Sequence, residues 1–338
     1  MKAAVNRRRC LQLSLGMAAG LAAPTAAGAP PLQWQERALL GFGTTLWLRA
    51  AHADVGRAAR GLDAAVAAIR HVQAQMSLFD PDSALSRLNR DGVLHEPHPD
   101  LVRVLTLAHQ VAAASRGAFD VTVQPLWALW QHAQRSARVP TEGELVQARS
   151  LVDWRGVELT AQRIRLRRPG MALTLNGIAQ GYAADLARAS LQAQGIEHAL
   201  LDTGEWSALG RGPNDAPWTL GLADPRRPAA TLARLRIGPL AVATSSDAHT
   251  AFSADLRHHH ILDPRTGDSP PGLASVTVAA ASCALADALT KVLFMGGWDN
   301  AMKLARRWKV EVLVVDKAGR WQASSDVFAG QAGHRASG

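Results

Sequence analysis

From Pro30-Pro31 to about Gly330, strand-like and helix-like segments alternate with no internal repeat and no linker between two domains. That restricts the chain to one α+β domain over residues 34–328, a mixed or antiparallel sheet packed against helices. Residues 38–50 read as a strand. Residues 54–76 read as an amphipathic helix, with Val55, Leu62, Val66, Ile69, Val72 and Met76 on one stripe. Phe79-Asp80-Pro81-Asp82-Ser83 is a turn, and residues 99–115 make a second helix ended at Gly117. A short helix holds Trp127 and Trp130, and residues 141–150 are a further one. Strands are expected near 153–158, 163–167, 172–175, 197–202, 217–222, 231–236, 239–243 and 274–279, with helices over 177–194 and 283–295. One more helix and two strands close the fold. The Gly-, Ala- and Ser-rich tail over residues 330–338 reads as disordered.

The first 29 residues read as an export signal: basic residues, the apolar run Leu11 to Ala23, then small residues, with cleavage expected near residue 27 or 29. The run is too short to span a bilayer. Asn6-Arg7-Arg8-Arg9-Cys10-Leu11-Gln12 fits a twin-arginine signal, a plain secretory signal being the alternative, and either places the mature protein in the periplasm. Four of the charges behind the formal +9 belong to this segment, leaving +5. So small an excess does not call for nucleic acid; an anionic substrate or a membrane surface suits it equally. Of two cysteines, Cys10 leaves with the signal, so no intramolecular disulfide is available, and Cys283 sits among Ala and Leu as a buried, inert thiol.

Chemistry concentrates in Arg257-His258-His259-His260-Ile261-Leu262-Asp263-Pro264-Arg265-Thr266-Gly267, where three imidazoles precede a tight turn fixed by Pro and Gly. Such a turn suits a reacting phosphate, though a weak metal site or a solvated loop also fits. In four further segments a strand ends, small or polar residues follow and a helix begins: Phe119–Thr122, Thr174–Gly181, Asp202–Glu205 and Ala286–Lys291. A helix N-terminus after a glycine turn offers free N–H groups to phosphate, although none of the four is a Walker A loop or a Rossmann fingerprint, and a plain helix cap is the alternative.

Taken in order, these segments resemble the ApbE family of FAD:protein FMN transferases over residues 38–325. The likeness rests on Phe42-Gly43-Thr44, Met76 to Ser83, Phe119 to Leu126, Asn176 to Asp185, Asp202-Thr203-Gly204-Glu205, Thr244-Ser245-Ser246, His260 to Gly267 and Ala286 to Gly297. Asn176 to Gly181 and Asp202 to Glu205 look most like the twin-arginine-exported branch that accompanies nitrous oxide reductase. The resemblance implies an enzyme that splits the pyrophosphate of FAD, attaches FMN to a Thr or Ser hydroxyl of a target protein and releases AMP. The acceptor would be an FMN-binding domain of a membrane-associated or periplasmic redox protein.

Carried over by position, the flavin lies against Phe42 and Phe79, with Ala118, Phe119 and Asp120 around the nucleotide. Thr174, Gln180 and Ile261 occupy further FAD positions. His260 matches the family histidine near the transferred phosphate and is assigned general base; Asp263 either orients it or stabilises the turn. The family metal, Mg²⁺, would take Asp287, a hydroxyl four residues on, and the carbonyl of Gly177. Here position +4 is Lys291 and the threonine stands at +3 as Thr290; Thr174 and Gln180 stand where the family more often has charged residues. An ammonium in that shell repels Mg²⁺ and is placed to pair with Asp287 or replace the metal's charge. Two other readings compete with a transferase. One is an exported, non-catalytic FAD-binding protein of the same fold. The other is a periplasmic metal- or haem-handling maturation factor using His258, His259 and His260, which consecutive strand positions would point to opposite faces.

Overall fold

A computed structural model describes residues 31–325 and 327–330. The export segment and the tail beyond Gly330 lie outside the described residues. An eight-stranded sheet carries the strands β1 (Gln33–Gly41), β2 (Thr44–His52), β6 (His198–Asp202), β7 (Trp206–Leu209), β10 (Ala241–Ser246), β11 (Leu273–Ala280), β12 (Glu311–Asp316) and β13 (Trp321–Ala323), in that order. Two three-stranded sheets accompany it: β14 (Phe328–Gly330), β9 (Thr231–Ile237) and β8 (Trp218–Ala223); and β3 (Val93–His95), β5 (Arg163–Leu166) and β4 (Val157–Leu159). Every pairing among the described residues is antiparallel.

The helices are α1 (Val55–Met76), α2 (Ala84–Asp91), α3 (Pro99–Ala114), α4 (Gln124–Arg135), α5 (Glu142–Arg149), α6 (Ala179–Ala193) and α7 (Cys283–Trp308). The strand pattern decides which layer covers which face, because alternate residues point to opposite sides. Val312 and Val314 join Val276 and Val278 in the core shared with α1, α3, α6 and α7. Leu313 and Val315 join Ala279 and Val242 in a second core under β8, β9 and β14. With both faces covered, β11 is buried at all eight positions.

Helix α1 forms as the stripe requires. The Asp54 side chain caps it by accepting from the amides of Gly56 and Arg57, and Leu62, Ile69, Val72 and Met76 are buried. Each such side chain contributes about 1.5–3 kcal/mol on burial. Val55, expected on the stripe, is exposed at the helix start. The strand expected over 38–50 is a hairpin, β1 and β2, turning at Phe42-Gly43, both at positive φ. Residues 172–175 form no strand: Asn89 hydrogen-bonds Leu173 through both its amide atoms, and the Thr174 amide donates to the carbonyl of Val121. Helix α7 runs past the expected end near 295, breaking at Gly297 (φ 71°) before continuing to Trp308.

The start of α7 is fixed against α6. The Asp185 carboxylate accepts from the amides of Cys283 (2.8 Å) and Ala284 (3.0 Å) and from the Ser282 hydroxyl (2.8 Å). Gly181 permits this approach, since a Cβ there would collide with the Cys283 carbonyl. The clamp sets the positions of Asp287, Thr290 and Lys291 one and two turns later.

Candidate active site

Loops from both ends of the sequence enclose a cavity of about 570 Å³. The hairpin tip Phe42–Thr44 and the loop Ala118–Val121 form one side. The loop Thr174–Gly177, with Gln180 on α6, faces the turn Gly204-Glu205, the end of β10, His260-Ile261, and Asp287 with Lys291 on α7. Phe42, which lines the cavity, holds a left-handed conformation (φ 49°), uncommon for an aromatic residue. The α6 N-terminus has no side-chain cap, leaving first-turn N–H groups for an anion.

The His258–Gly267 segment is held from beneath by α4. Trp130 is buried, stacks on His258 with ring centroids 4.6 Å apart, and donates its indole N–H to the Gly267 carbonyl at 2.8 Å. The three imidazoles then diverge. His258 pairs with Asp268 at 2.7 Å. His259 is buried with both ring nitrogens unpartnered. His260 alone of the three faces the cavity, so the run does not form a three-histidine metal site. The His260 Nδ1 lies 3.2 Å from the Thr250 carbonyl, an acceptor, which assigns the ring proton to Nδ1 and leaves Nε2 as a lone pair. Withdrawal from water and the Lys291 ammonium hold its pKa down to about 4, so the imidazole is neutral and proton-free at Nε2 near neutral pH.

Also on the cavity lining, Lys291 forms an ion pair with Asp287 Oδ1 and donates to the Asp287 carbonyl at 3.1 Å. Its stem lies across Gly177, where an added Cβ would come within 3.0 Å of Lys291 Cε. The ammonium therefore stands between Asp287 and Gly177. The Thr290 hydroxyl is turned away, bonded to Ser245 Oγ and to the Asp287 carbonyl, both at 2.7 Å. The Mg²⁺ that the resemblance implies does not fit this arrangement, because the position of one expected ligand holds a cation and the Thr290 hydroxyl is committed elsewhere. Asp287 Oδ2 has no partner among the described residues.

Glu205 completes the group. It is buried and accepts from the Thr244 amide at 3.0 Å; burial, with the Asp287 charge behind it, holds its carboxyl well above the usual range. The sequence marks the Asp202–Glu205 segment, which turns into strand β7 and not into the expected helix, but it does not mark this role, which depends on α7 packing under β10.

Ala118, Phe119, Asp120, Thr174, Gln180 and Ile261 all line the cavity with Phe42, Gly177, His260, Asp287 and Lys291. Asp120 spends its carboxylate on the loop, accepting from the Thr122 amide and hydroxyl and the Trp154 amide. Three expected residues stand apart. Phe79 is 73% exposed and outside the cavity lining, because hydrogen bonds closing the Ser77–Ser83 turn leave its ring outside. Asp263 does not orient His260: it binds Arg265 Nη2 at 2.6 Å and the Arg265 amide at 2.9 Å, and so stabilises the turn. Thr290 is fully buried behind the wall.

The fold that carries this cavity, an antiparallel sheet flanked by helices, has counterparts among known proteins. The ApbE family model matches residues 42–314, and the chain belongs to the ApbE family. An FAD:protein FMN transferase of Vibrio cholerae is 31% identical over 258 residues, covering 74% of this chain and 77% of that protein. The flavinyl transferase ApbE of Pseudomonas stutzeri, in its apo form, superposes with a TM-score of 0.76 at 29% identity, covering 89% of this chain and 98% of that one. The ApbE protein of Thermotoga maritima does so with a TM-score of 0.79 at 27% identity, over 87% and 97%.

Proposed function

We propose that this chain is an FAD:protein FMN transferase. The observation that carries the reading is a neutral imidazole with a free Nε2 and a half-buried ammonium on the same cavity. An acceptor Thr or Ser hydroxyl attacks the FMN-side phosphorus of FAD; its proton passes to His260 Nε2, the pyrophosphate P–O bond to the AMP side breaks, and AMP leaves. Phosphoryl transfer of this kind asks the protein for positioning and for positive charge at the phosphates. The α6 N-terminus and Lys291 are the groups placed to supply that charge. Phe42 and Ile261 offer apolar surface for the flavin, with Phe119 beside the nucleotide. Incubating the protein with FAD and an FMN-binding acceptor domain is expected to give AMP and a flavin-bearing target in equal amounts. The Lys291–Asp287 ion pair also favours a second reading, a protein that binds FAD without cleaving it; retained FAD with no AMP would establish that reading.

The twin-arginine-like start supports export to the periplasm, where the acceptor would be an FMN-binding domain of a membrane-associated or periplasmic redox protein. Changing Arg7 and Arg8 to Lys is expected to leave uncleaved precursor in the cytoplasm, as seen by fractionation. Undiminished export of that variant would remove the assignment to this route.

A further inference from the structure

Away from the cavity, three metal-ligating side chains converge where α1 meets the start of α3. His71 lies on α1, His98 is the N-cap of α3, and Asp100 sits in its first turn. One donor atom from each lies within 4.8 Å of the other two. His71 Nε2 is 3.1 Å and His98 Nδ1 3.5 Å from the same oxygen, Asp100 Oδ2. Ligands about 2.1 Å from a tetrahedral ion stand roughly 3.4 Å apart, so these separations are already those of a coordination shell.

Two details distinguish the cluster from an ordinary ion pair. First, the Asp100 amide donates to His98 Nδ1 at 3.2 Å, so that nitrogen carries a lone pair. That lone pair is the one an ion would take, so a bound metal would replace the Asp100 amide at Nδ1. Second, the other carboxylate oxygen is already held: Asp100 Oδ1 accepts from the Tyr182 hydroxyl at 2.5 Å and Arg103 Nη1 at 2.6 Å. That is the outer support that metal-binding carboxylates typically have, and it aims Oδ2 at the two imidazoles. The buried carboxylate meets two partly exposed rings, leaving the outer side open for a water ligand.

We propose that His71, His98 and Asp100 form a binding site for a divalent transition metal of the zinc class, separate from the flavin cavity. Arg103 offsets the carboxylate charge, so selectivity comes from the two imidazoles, which favour Zn²⁺ over Mg²⁺ or Ca²⁺. The bound ion would tie α1 to α3 and, through Tyr182, to α6. Zinc chloride titrated into the full chain against a chromophoric chelator is expected to show one equivalent held at this site. Cobalt substitution is expected to give the intense visible bands of four-coordinate Co²⁺. His71→Gln keeps an N–H for Asp100, and His98→Asn keeps an N-cap, so both variants retain the local hydrogen bonds. Each is expected to weaken zinc binding at least ~10-fold, as losing a ligand costs no less than losing its outer support, with an unchanged far-ultraviolet spectrum. A double variant that binds zinc as tightly as the native chain, or a native chain that leaves all zinc with the chelator, would overturn the proposal and leave the cluster a helix cap with an ion pair.

Discussion

His260→Ala is expected to lower the transfer rate by roughly 10²- to 10⁴-fold, the range for removing a positioned general base, while FAD affinity changes little. The ring stands on the cavity wall with Nδ1 turned to the Thr250 carbonyl and Nε2 free, so the variant loses the proton acceptor and little of the binding surface. The pH profile tests the same assignment. In the free protein His260 loses its charge above about 4, so the acid limb of kcat/KM is expected near that value, well below an ordinary histidine's. In the complex the phosphates favour the imidazolium, and the acid limb of kcat is expected at higher pH. Stability has its own acid limb. His259 and His260 both have folded pKa values near 4, below the ordinary 6.5. Their contribution is complete above about 6.5 and is lost as pH falls toward 4. Circular dichroism over the same range separates the two effects. A His260→Ala protein with near-native turnover would end the assignment of His260 as base.

How much of this was legible in the sequence depended on the range of the forces involved. Helix α1 could be read because its stripe and its Asp54 cap are local. The hairpin turn at Phe42-Gly43 could not, because Phe is a poor residue for positive φ and no Asn-Gly or Asp-Gly announces it. Helix α2 went unread because eight residues capped by Ser83 give too little periodicity. Residues 172–175 read as a strand on composition, but their hydrogen bonds go to the Asn89 side chain and to Val121 instead of a ladder. In the site, most of the motif positions line the cavity, though Phe79, Asp263 and Thr290 do not, and Lys291 pairs with Asp287 four residues before it as helical spacing predicts. Asp263 was ambiguous because Arg265, two residues on, and the His260 imidazole, three residues back, are both within its reach in sequence. Glu205 escaped because its raised carboxyl depends on burial and then on Asp287, 82 residues later, both present only after folding.

Lys291→Thr carries the other large effect. The native protein is expected to transfer FMN in the presence of EDTA, because the Lys291 ammonium, fixed by Asp287 and lying across Gly177, already supplies the cation at the phosphates. Lysine clamps and metals stabilise developing charge in the same way, and removing one preorganised group costs about 10²–10³-fold. Metal-free turnover of Lys291→Thr should fall by that factor. The substitution also leaves Asp287 as a buried carboxylate without a counter-ion, a loss of about 3–5 kcal/mol when one partner of a buried pair is removed. Lys291→Arg, which keeps the charge on a longer stem, separates that stability loss from the catalytic one: it should fold like the native chain and retain part of the EDTA-resistant rate. Magnesium distinguishes the alternatives. If the ammonium merely blocks a latent metal site, Lys291→Thr frees Asp287 and Gly177 and gains Mg²⁺-dependent transfer over an inactive native protein. If the ammonium is the working cation, the native rate is indifferent to EDTA. A native protein active with Mg²⁺ and inactive in EDTA would refute the surrogate role. It would also require the metal to displace Lys291 from Asp287, with Thr290 turning from Ser245 to meet it.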